Sequence, residues 1–246
     1  MLLLGLLTAA QLVAAEPDEI MKKANQAYIN ETYHEAIELY ESILEMDVES
    51  ASLYYNLGNA HYKTGQIGRA ILNYERARRL SPNDEAILHN LRIARSLLNG
   101  NIEAMPQLFF LDWRDNFVQM QSVDGWAITI IILACSVMLC AVLFFVLNSR
   151  IQKKVFFFAG IIALLFLLMS YYAVNRQHYQ QYVKQEAIVM SLRVTAKSAP
   201  SDRSIDLFIA YEGTKVELTS NVMDWYEVRL PNGQVGWVNK SALEII

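Results

Sequence analysis

Cysteine and charge are both scarce in this sequence. Two cysteines occur in 246 residues, Cys135 and Cys140, and both lie inside an apolar run, so a disulfide framework and a C-x-x-C motif are excluded. Charged residues make up 19% of the chain, and the net charge of −4 comes without the basic stripe of nucleic-acid-binding proteins. The composition therefore predicts no nucleic-acid partner.

Catalytic and metal-binding motifs are missing as well. No nucleophile elbow, P-loop, H-E-x-x-H or dinucleotide fingerprint occurs. The histidines lack the spacing of metal ligands: His34, His61, His89 and His178. Acidic residues recur every three or four positions along one stretch, which predicts a solvated helix face: Glu35, Glu38, Glu41 and Glu45. We therefore predict no catalytic residues, no metal, no cofactor and no enzymatic activity.

Two long runs carry no charge at all, residues 126–147 and 155–174. Twenty or so apolar residues in a helix match the hydrocarbon thickness of a bilayer. We predict transmembrane helices at 126–148 and 155–175, and weigh them against a buried hairpin of a soluble protein.

The residues between the two runs predict an orientation. Segment 149–154 contains Arg150, Lys153 and Lys154 and no acid, whereas the flank before the first run is more acidic. Because basic loops stay in the cytoplasm, this short loop is predicted to be cytoplasmic and both flanking domains periplasmic, in a bacterial inner membrane. The inverted topology is the alternative.

Two further segments have apolar character. Residues 1–15 are apolar but too short to span a bilayer, and Val13 and Ala15 fit a cleavage site, so a signal-like segment is predicted; a buried N-terminal helix is the alternative. Residues 99–125 interleave aromatic and acidic residues. They predict an amphipathic link that lies in the lipid headgroup region or packs against the preceding domain.

Residues 17–50 and 51–84 align with each other, so that Tyr40 falls on Tyr74. Paired helices that recur with this spacing are the signature of tetratricopeptide repeats. The second copy resembles that family at nine positions: Tyr54, Leu57, Gly58, Tyr62, Gly65, Ala70, Tyr74, Ala77 and Pro82. Of these, Gly65 is expected to end the first helix of the copy. The resemblance implies an all-α solenoid over residues 16–98.

The copies differ in how well they fit the motif. The first departs from it at Lys23 and Val48, and a third, partial copy from Glu85 predicts one capping helix. In the second copy, small Gly58 and Ala70 are expected to let the paired helices approach closely. The space between the helices is predicted to be filled by three larger side chains: Leu57, Tyr74 and Leu80.

Repeat arrays of this family present a concave groove formed by the first helix of each pair. The resemblance implies a partner-binding groove lined by Asn25, Tyr28, Tyr55, Asn59, Tyr62, Lys63 and His89. The alternative for each of these residues is that it matches the repeat pattern without binding anything. Lys63 is the one clear basic residue among them, which argues against a groove specialised for carboxylates.

After a polar linker at 176–186, the chain changes to short alternating apolar runs with Gly and Asn turns. Asn232-Gly233 is a strong hairpin signal. Six residues of this region fit the pattern of one family: Gly213, Trp225, Gly233, Gly236, Trp237 and Leu243. Through them residues 187–246 resemble the bacterial Src-homology-3-like domain, which implies a small all-β barrel that binds peptides or cell-wall glycopeptides. We predict Trp237 in the core and a ligand face at Trp225 and Tyr226, with a place in the core as the alternative for these two.

In its domain order the chain is similar to the BatE-type proteins of the Bacteroides aerotolerance system. This resemblance implies a membrane-anchored scaffold whose partners are other Bat-type membrane proteins with von Willebrand factor A domains. Membrane lipid and peptidoglycan are further expected contacts. The alternative function is a cell-wall-binding sensor or accessory protein that acts through the barrel.

Overall fold

A computed structural model describes residues 17–98, 114, 117–118, 120–179 and 185–246. The predicted signal-like segment 1–15 and most of the predicted link 99–125 lie outside these residues. The described chain forms two compact units. One contains residues 17–98 together with 185–246, and the other contains the described residues between 114 and 179.

The first unit begins with five helices, two pairs and a single helix. A helix over residues 17–29 (α1) is followed by α2 (Tyr33–Leu44), α3 (Ala51–Lys63), α4 (Ile67–Leu80) and α5 (Glu85–Ser96). Each pair buries its facing side chains in a shared core, and α5 packs against α4 as the single helix predicted for the third copy.

Short polar and glycine residues set the helix ends. The Ser50 hydroxyl accepts a hydrogen bond from the Leu53 amide at the start of α3 (3.1 Å), and the Asp84 carboxylate caps α5 in the same way. Gly65 follows α3 with a φ of +78°, a conformation that other residues adopt at a cost. These ends match the turn expected at Gly65.

The close approach of α3 and α4 depends on Gly58. A Cβ at that position would lie 2.7 Å from the ring of Tyr74, so no larger residue fits without movement. Leu57 and Tyr74 are buried between the helices as expected. Leu80 is 43% exposed, so the prediction that it fills this space is wrong. It is the last residue of α4.

Residues 185–246 form seven antiparallel strands. They are β1 (Glu186–Val189), β2 (Arg193–Lys197), β3 (Asp206–Tyr211), β4 (Lys215–Val222), β5 (Trp225–Arg229), β6 (Val235–Asn239) and β7 (Leu243–Ile245). The sheet order is β3-β2-β6-β5-β4-β1-β7. No ladder joins the two edge strands, β3 and β7, within residues 185–246, so the sheet is not a closed barrel. We call residues 185–246 the β-domain.

The second unit contains two long helices, α6 (Val123–Val146) and α7 (Arg150–His178), which pack against each other. Both are long and apolar enough to cross a membrane, by length and composition alone. Arg150, Lys153 and Lys154 lie in the first turns of α7 and not in a loop, because this sequence consists of good helix formers. Only residues 147–149 connect the helices.

Candidate functional site

Asparagines on α1, α3 and α5 join neighbouring helices of the repeats through hydrogen bonds. Asn25 of α1 accepts two hydrogen bonds at Oδ1, from the Tyr40 hydroxyl (2.7 Å) and from Nδ2 of Asn56 (3.1 Å). Tyr40 belongs to the second helix of the same repeat and Asn56 to the first helix of the next. One amide oxygen therefore ties three helices together.

The same arrangement recurs one repeat later in the chain. Oδ1 of Asn59 accepts hydrogen bonds from the Tyr74 hydroxyl (2.7 Å) and from Nδ2 of Asn90 (2.8 Å). Nδ2 of Asn90 also donates to the Tyr55 hydroxyl (3.0 Å). Burial raises the pKa of Tyr40 to about 12 and the pKa of Tyr74 further, so both hydroxyls stay protonated and keep donating.

An open pocket of about 330 Å³ lies over the first of these hydrogen-bonded sets. Its lining combines amides, phenols and one aliphatic side chain: Asn25, Tyr28, Ile29, Tyr40, Asn56 and Asn59. Ile29 is 70% exposed, so it presents an apolar side chain beside the amides of the pocket. Among the described residues, none accepts a hydrogen bond from Nδ2 of Asn25 or Asn59.

The structure brings together three of the seven predicted groove residues, Asn25, Tyr28 and Asn59, at this pocket. Tyr55 and Tyr62 are half-buried and pack against the core between α4 and α5. Lys63 and His89 are exposed on α3 and α5 and do not line the pocket.

Sequence reasoning missed four residues of this site: Ile29, Tyr40, Asn56 and Asn90. The repeat period itself held a signal for three of them. Asn56 and Asn90 stand one repeat apart, as do Tyr40 and Tyr74 and the predicted Asn25 and Asn59. Polar residues that recur at the repeat period inside helices indicate a repeated hydrogen bond.

In the β-domain, Trp225 and Tyr226 do not lie together on one face of the sheet as predicted. Tyr226 packs against the buried cluster of the sheet, and the Lys240 ammonium lies 4.8 Å from its ring. Trp225 precedes it in β5, and successive strand residues point to opposite faces. Trp225 and Tyr226 therefore belong to different faces of the sheet.

Trp237 also differs from the prediction that placed it in the core. It pairs with Glu227, while its neighbours Gly236 and Val238 are buried on the inner face. Trp237 is half-buried on the outer face, which it shares with Trp225. Within the described parts of the chain, no cluster of His, Cys, Asp and Glu side chains suits a metal ion.

Comparison with known families finds two matching models. The tetratricopeptide repeat model matches residues 51–84, and the bacterial SH3 domain model matches residues 191–244. No curated protein matches the chain. The two matches lie on either side of two helices that are apolar enough, by length and composition, to span a membrane.

Proposed function

We propose that this protein is a membrane-anchored scaffold that binds a partner protein through its repeats. The repeat match supports a role in protein–protein interaction, and the paired apolar helices support membrane anchoring. By resemblance to BatE-type proteins, the partners are other Bat-type membrane proteins with von Willebrand factor A domains, in an aerotolerance or envelope-stress complex. The protein has no catalytic role in this proposal.

The observation that carries the proposal is the open pocket at Asn25, Tyr28 and Ile29. Amide donors without a described acceptor suit backbone carbonyls of a peptide, and the exposed Ile29 suits an apolar side chain beside them. The hydrogen bonds to Oδ1 hold both asparagines in place before a partner arrives, which lowers the entropic cost of binding.

Replacing Ile29 tests the groove without breaking the hydrogen bonds of the asparagines. In pull-downs from solubilised membranes, we expect the full-length Ile29→Glu variant to lose its co-purifying proteins. Ile93→Glu is the matched control, because Ile93 is a solvent-exposed isoleucine of α5 outside the pocket. Equal recovery of the same partners by both variants would contradict a partner-binding groove.

We further propose that the repeats and the β-domain both lie in the periplasm. The positive charges at the start of α7 favour the cytoplasm, and two spans return the chain to the side from which it came. The repeats pack directly on the β-domain, which requires the two to share one side of the membrane.

Reporter fusions after residues 100, 151 and 246 test this orientation. We expect a periplasm-dependent reporter to be active at 100 and 246 and inactive at 151, and a cytoplasm-dependent reporter to give the reverse. The reverse pattern for both reporters would overturn the periplasmic assignment and leave the hairpin intact. Activity on opposite sides at 100 and 246 would overturn the hairpin itself.

Cell-wall binding is the second candidate, since bacterial SH3 domains suggest it. The outer face of the sheet carries two half-buried tryptophans, Trp225 and Trp237, and aromatic faces suit sugar rings. We expect the full-length protein in detergent to sediment with purified sacculi, and Trp225→Ala to weaken this. Leu207→Ala, at an exposed position of β3, is the control. Failure of the wild-type protein to sediment would exclude this candidate.

A further inference from the structure

Two large side chains of α4, Ile71 and Leu72, are buried in a cluster to which both α5 and the β-domain contribute. Ile71 is 0% exposed and Leu72 is 2% exposed, and Leu72 lies on the side of the helix opposite Ala70 and Tyr74. Both belong to a cluster that also contains Leu91 and Ala94 of α5. The remaining buried members of this cluster are Ala70 and Tyr74 of α4, and Ile188 and Ile246 of the β-domain.

Strand β1 has two apolar faces, and this explains the burial. Ala187 and Val189 point into the core of the sheet, whereas Ile188, between them, packs into the cluster with α4 and α5. All three are 0% exposed. In a strand with one face in water, apolar and polar residues would alternate. The apolar residues on both faces of β1 therefore identify it as the strand against which the repeats pack.

The turn between β3 and β4 makes a second contact. Gly213 has a φ of +78°, and a Cβ there would lie 2.7 Å from the Leu98 side chain and 3.0 Å from Ile71. The adjacent Glu212 carboxylate accepts a hydrogen bond from the Gly68 amide of α4 (3.1 Å). Glycine on each side lets the two backbones come close.

A buried carboxylate forms the third contact. Glu75 of α4 is 1% exposed and binds three cations: Arg78 (2.8 Å), Arg95 of α5, and Lys215 of β4 (3.0 Å). Lys215 also pairs with Glu186 of β1. Burial by itself would raise the pKa of Glu75, but the three cations together lower it, so the carboxylate is charged.

We propose that the β-domain is the C-terminal cap of the repeat array and folds with it as one cooperative unit. It covers α4 and α5, as the second helix of a complete third repeat would do. Repeat arrays need such a cap because a terminal repeat exposes an apolar face. One consequence is that the groove and the outer face of the sheet are held in a fixed relation to each other.

Ile188→Lys in the full-length protein tests the cap, because the side chain of Ile188 is not part of the sheet's own core. In hydrogen exchange followed by mass spectrometry, we expect amide exchange in α4 and α5 to become roughly tenfold faster or more. Leu207→Lys, at a 50% exposed position of β3, is the control and leaves α4 and α5 unchanged. Faster exchange confined to β1 and its partners β4 and β7 would overturn the proposal.

The experiment remains decisive if Ile188→Lys unfolds the β-domain. Loss of amide protection throughout β2–β6 would then report an unfolded β-domain. In that case the proposal predicts that α4 and α5 also lose their protection from exchange. Protected α4 and α5 beside an unfolded sheet would show that the array is stable alone and would refute the cooperative unit. The reciprocal variant Leu98→Lys, at the contact with Gly213, is expected to speed exchange in β1 and in the turn after β3.

A cysteine pair tests whether the cap comes from the same chain. In a background with Cys135→Ser and Cys140→Ser, Gly68→Cys with Glu212→Cys is expected to form a disulfide within one chain. A Cβ at position 68 would lie 2.6 Å from the Glu212 side chain. Gly68→Cys with Leu207→Cys is the control, since the strand rise separates position 207 from 212 by roughly 15 Å. Cross-links only between two chains, or none, would overturn an intramolecular cap.

Discussion

The second helices of the two repeats, α2 and α4, are equivalent in sequence position and opposite in environment. Glu41 of α2 and Glu75 of α4 stand at the same repeat position, yet the side chain of Glu41 is 45% exposed and that of Glu75 is 1% exposed. Glu38 of α2 is exposed, whereas its counterpart in α4 is the buried Leu72. The β-domain covers one helix and leaves the other to solvent.

This difference separates two kinds of constraint on a repeat. The inner faces of both helices follow the motif and bury the same residue types, Ala36 and Tyr40 in one, Ala70 and Tyr74 in the other. The outer faces are unconstrained by the motif, so each adapts to its neighbour. Glutamates suit the outer face of α2, because it faces water. Leucine and one carboxylate paired with cations suit the outer face of α4, because the β-domain covers it.

Leu72→Glu is expected to have the largest effect, because it gives α4 the residue that α2 carries. A charge would replace a buried side chain, so the free energy of unfolding should fall by about 3–5 kcal/mol. Urea titration of the full-length protein in detergent, followed by tryptophan fluorescence, measures the change. Glu38→Leu on α2 should stay within about 0.5 kcal/mol. Similar costs for both variants would remove the contrast between the helices.

Glu75→Gln should have the next largest effect, about 2–4 kcal/mol, because three cations lose a buried partner. Glu41→Gln, on the exposed side of α2, should cost under about 0.5 kcal/mol. The pKa of Glu75 in the folded protein lies below 4.5, its ordinary value. The stability that the Glu75 carboxylate provides is therefore complete above about pH 4.5. It is lost as the pH falls through the lowered pKa of Glu75 in the folded protein. Urea midpoints measured from pH 7 to pH 3 should show this acid-dependent loss in the wild type and less of it in Glu75→Gln.

His61→Ala sharpens the comparison of α3 with α1, where Ala27 holds the equivalent position. Burial, assisted by the charge of Arg69, lowers the pKa of His61 from 6.5 to about 4. Between these values the unfolded chain binds a proton that the folded chain does not, so stability falls as the pH decreases. The slope is at most about 1.4 kcal/mol per pH unit. In His61→Ala, the free energy of unfolding should vary less between pH 6.5 and pH 4 than in the wild type. An unchanged slope would show that another group titrates in this range. His34→Ala, at an exposed position, is the control.

Much of the fold follows from local patterns. The repeat period predicted the helical pairs, Gly58 and Gly65 predicted a close approach and a helix end, and Asn232-Gly233 predicted the hairpin between β5 and β6. The sheet was expected to be a closed barrel and is open between β3 and β7. Closure depends on how edge strands meet, and the alternation within each strand carries no information about that.

The sequence predicts less of the candidate site than of the fold. Asn25, Tyr28 and Asn59 lie together at the pocket, but Lys63 and His89 point elsewhere and Ile29 was missed. Family register specifies which helix carries a residue, and a pocket also depends on where adjacent helices leave space. Trp225 and Tyr226 were grouped because they are aromatic neighbours, although neighbours in a strand face opposite ways.

The sequence alone determined the elements of this protein: two helical repeats, two helices built on uncharged runs of membrane-spanning length, and a series of short strands. Each is encoded by periodicity within a short stretch of chain. The tertiary structure alone decided that β1 is buried on both faces, that Glu75 is buried while Glu41 is exposed, and that the β-domain covers α4. These features depend on contacts between segments that are far apart in the chain, and no local pattern specifies which surfaces will meet.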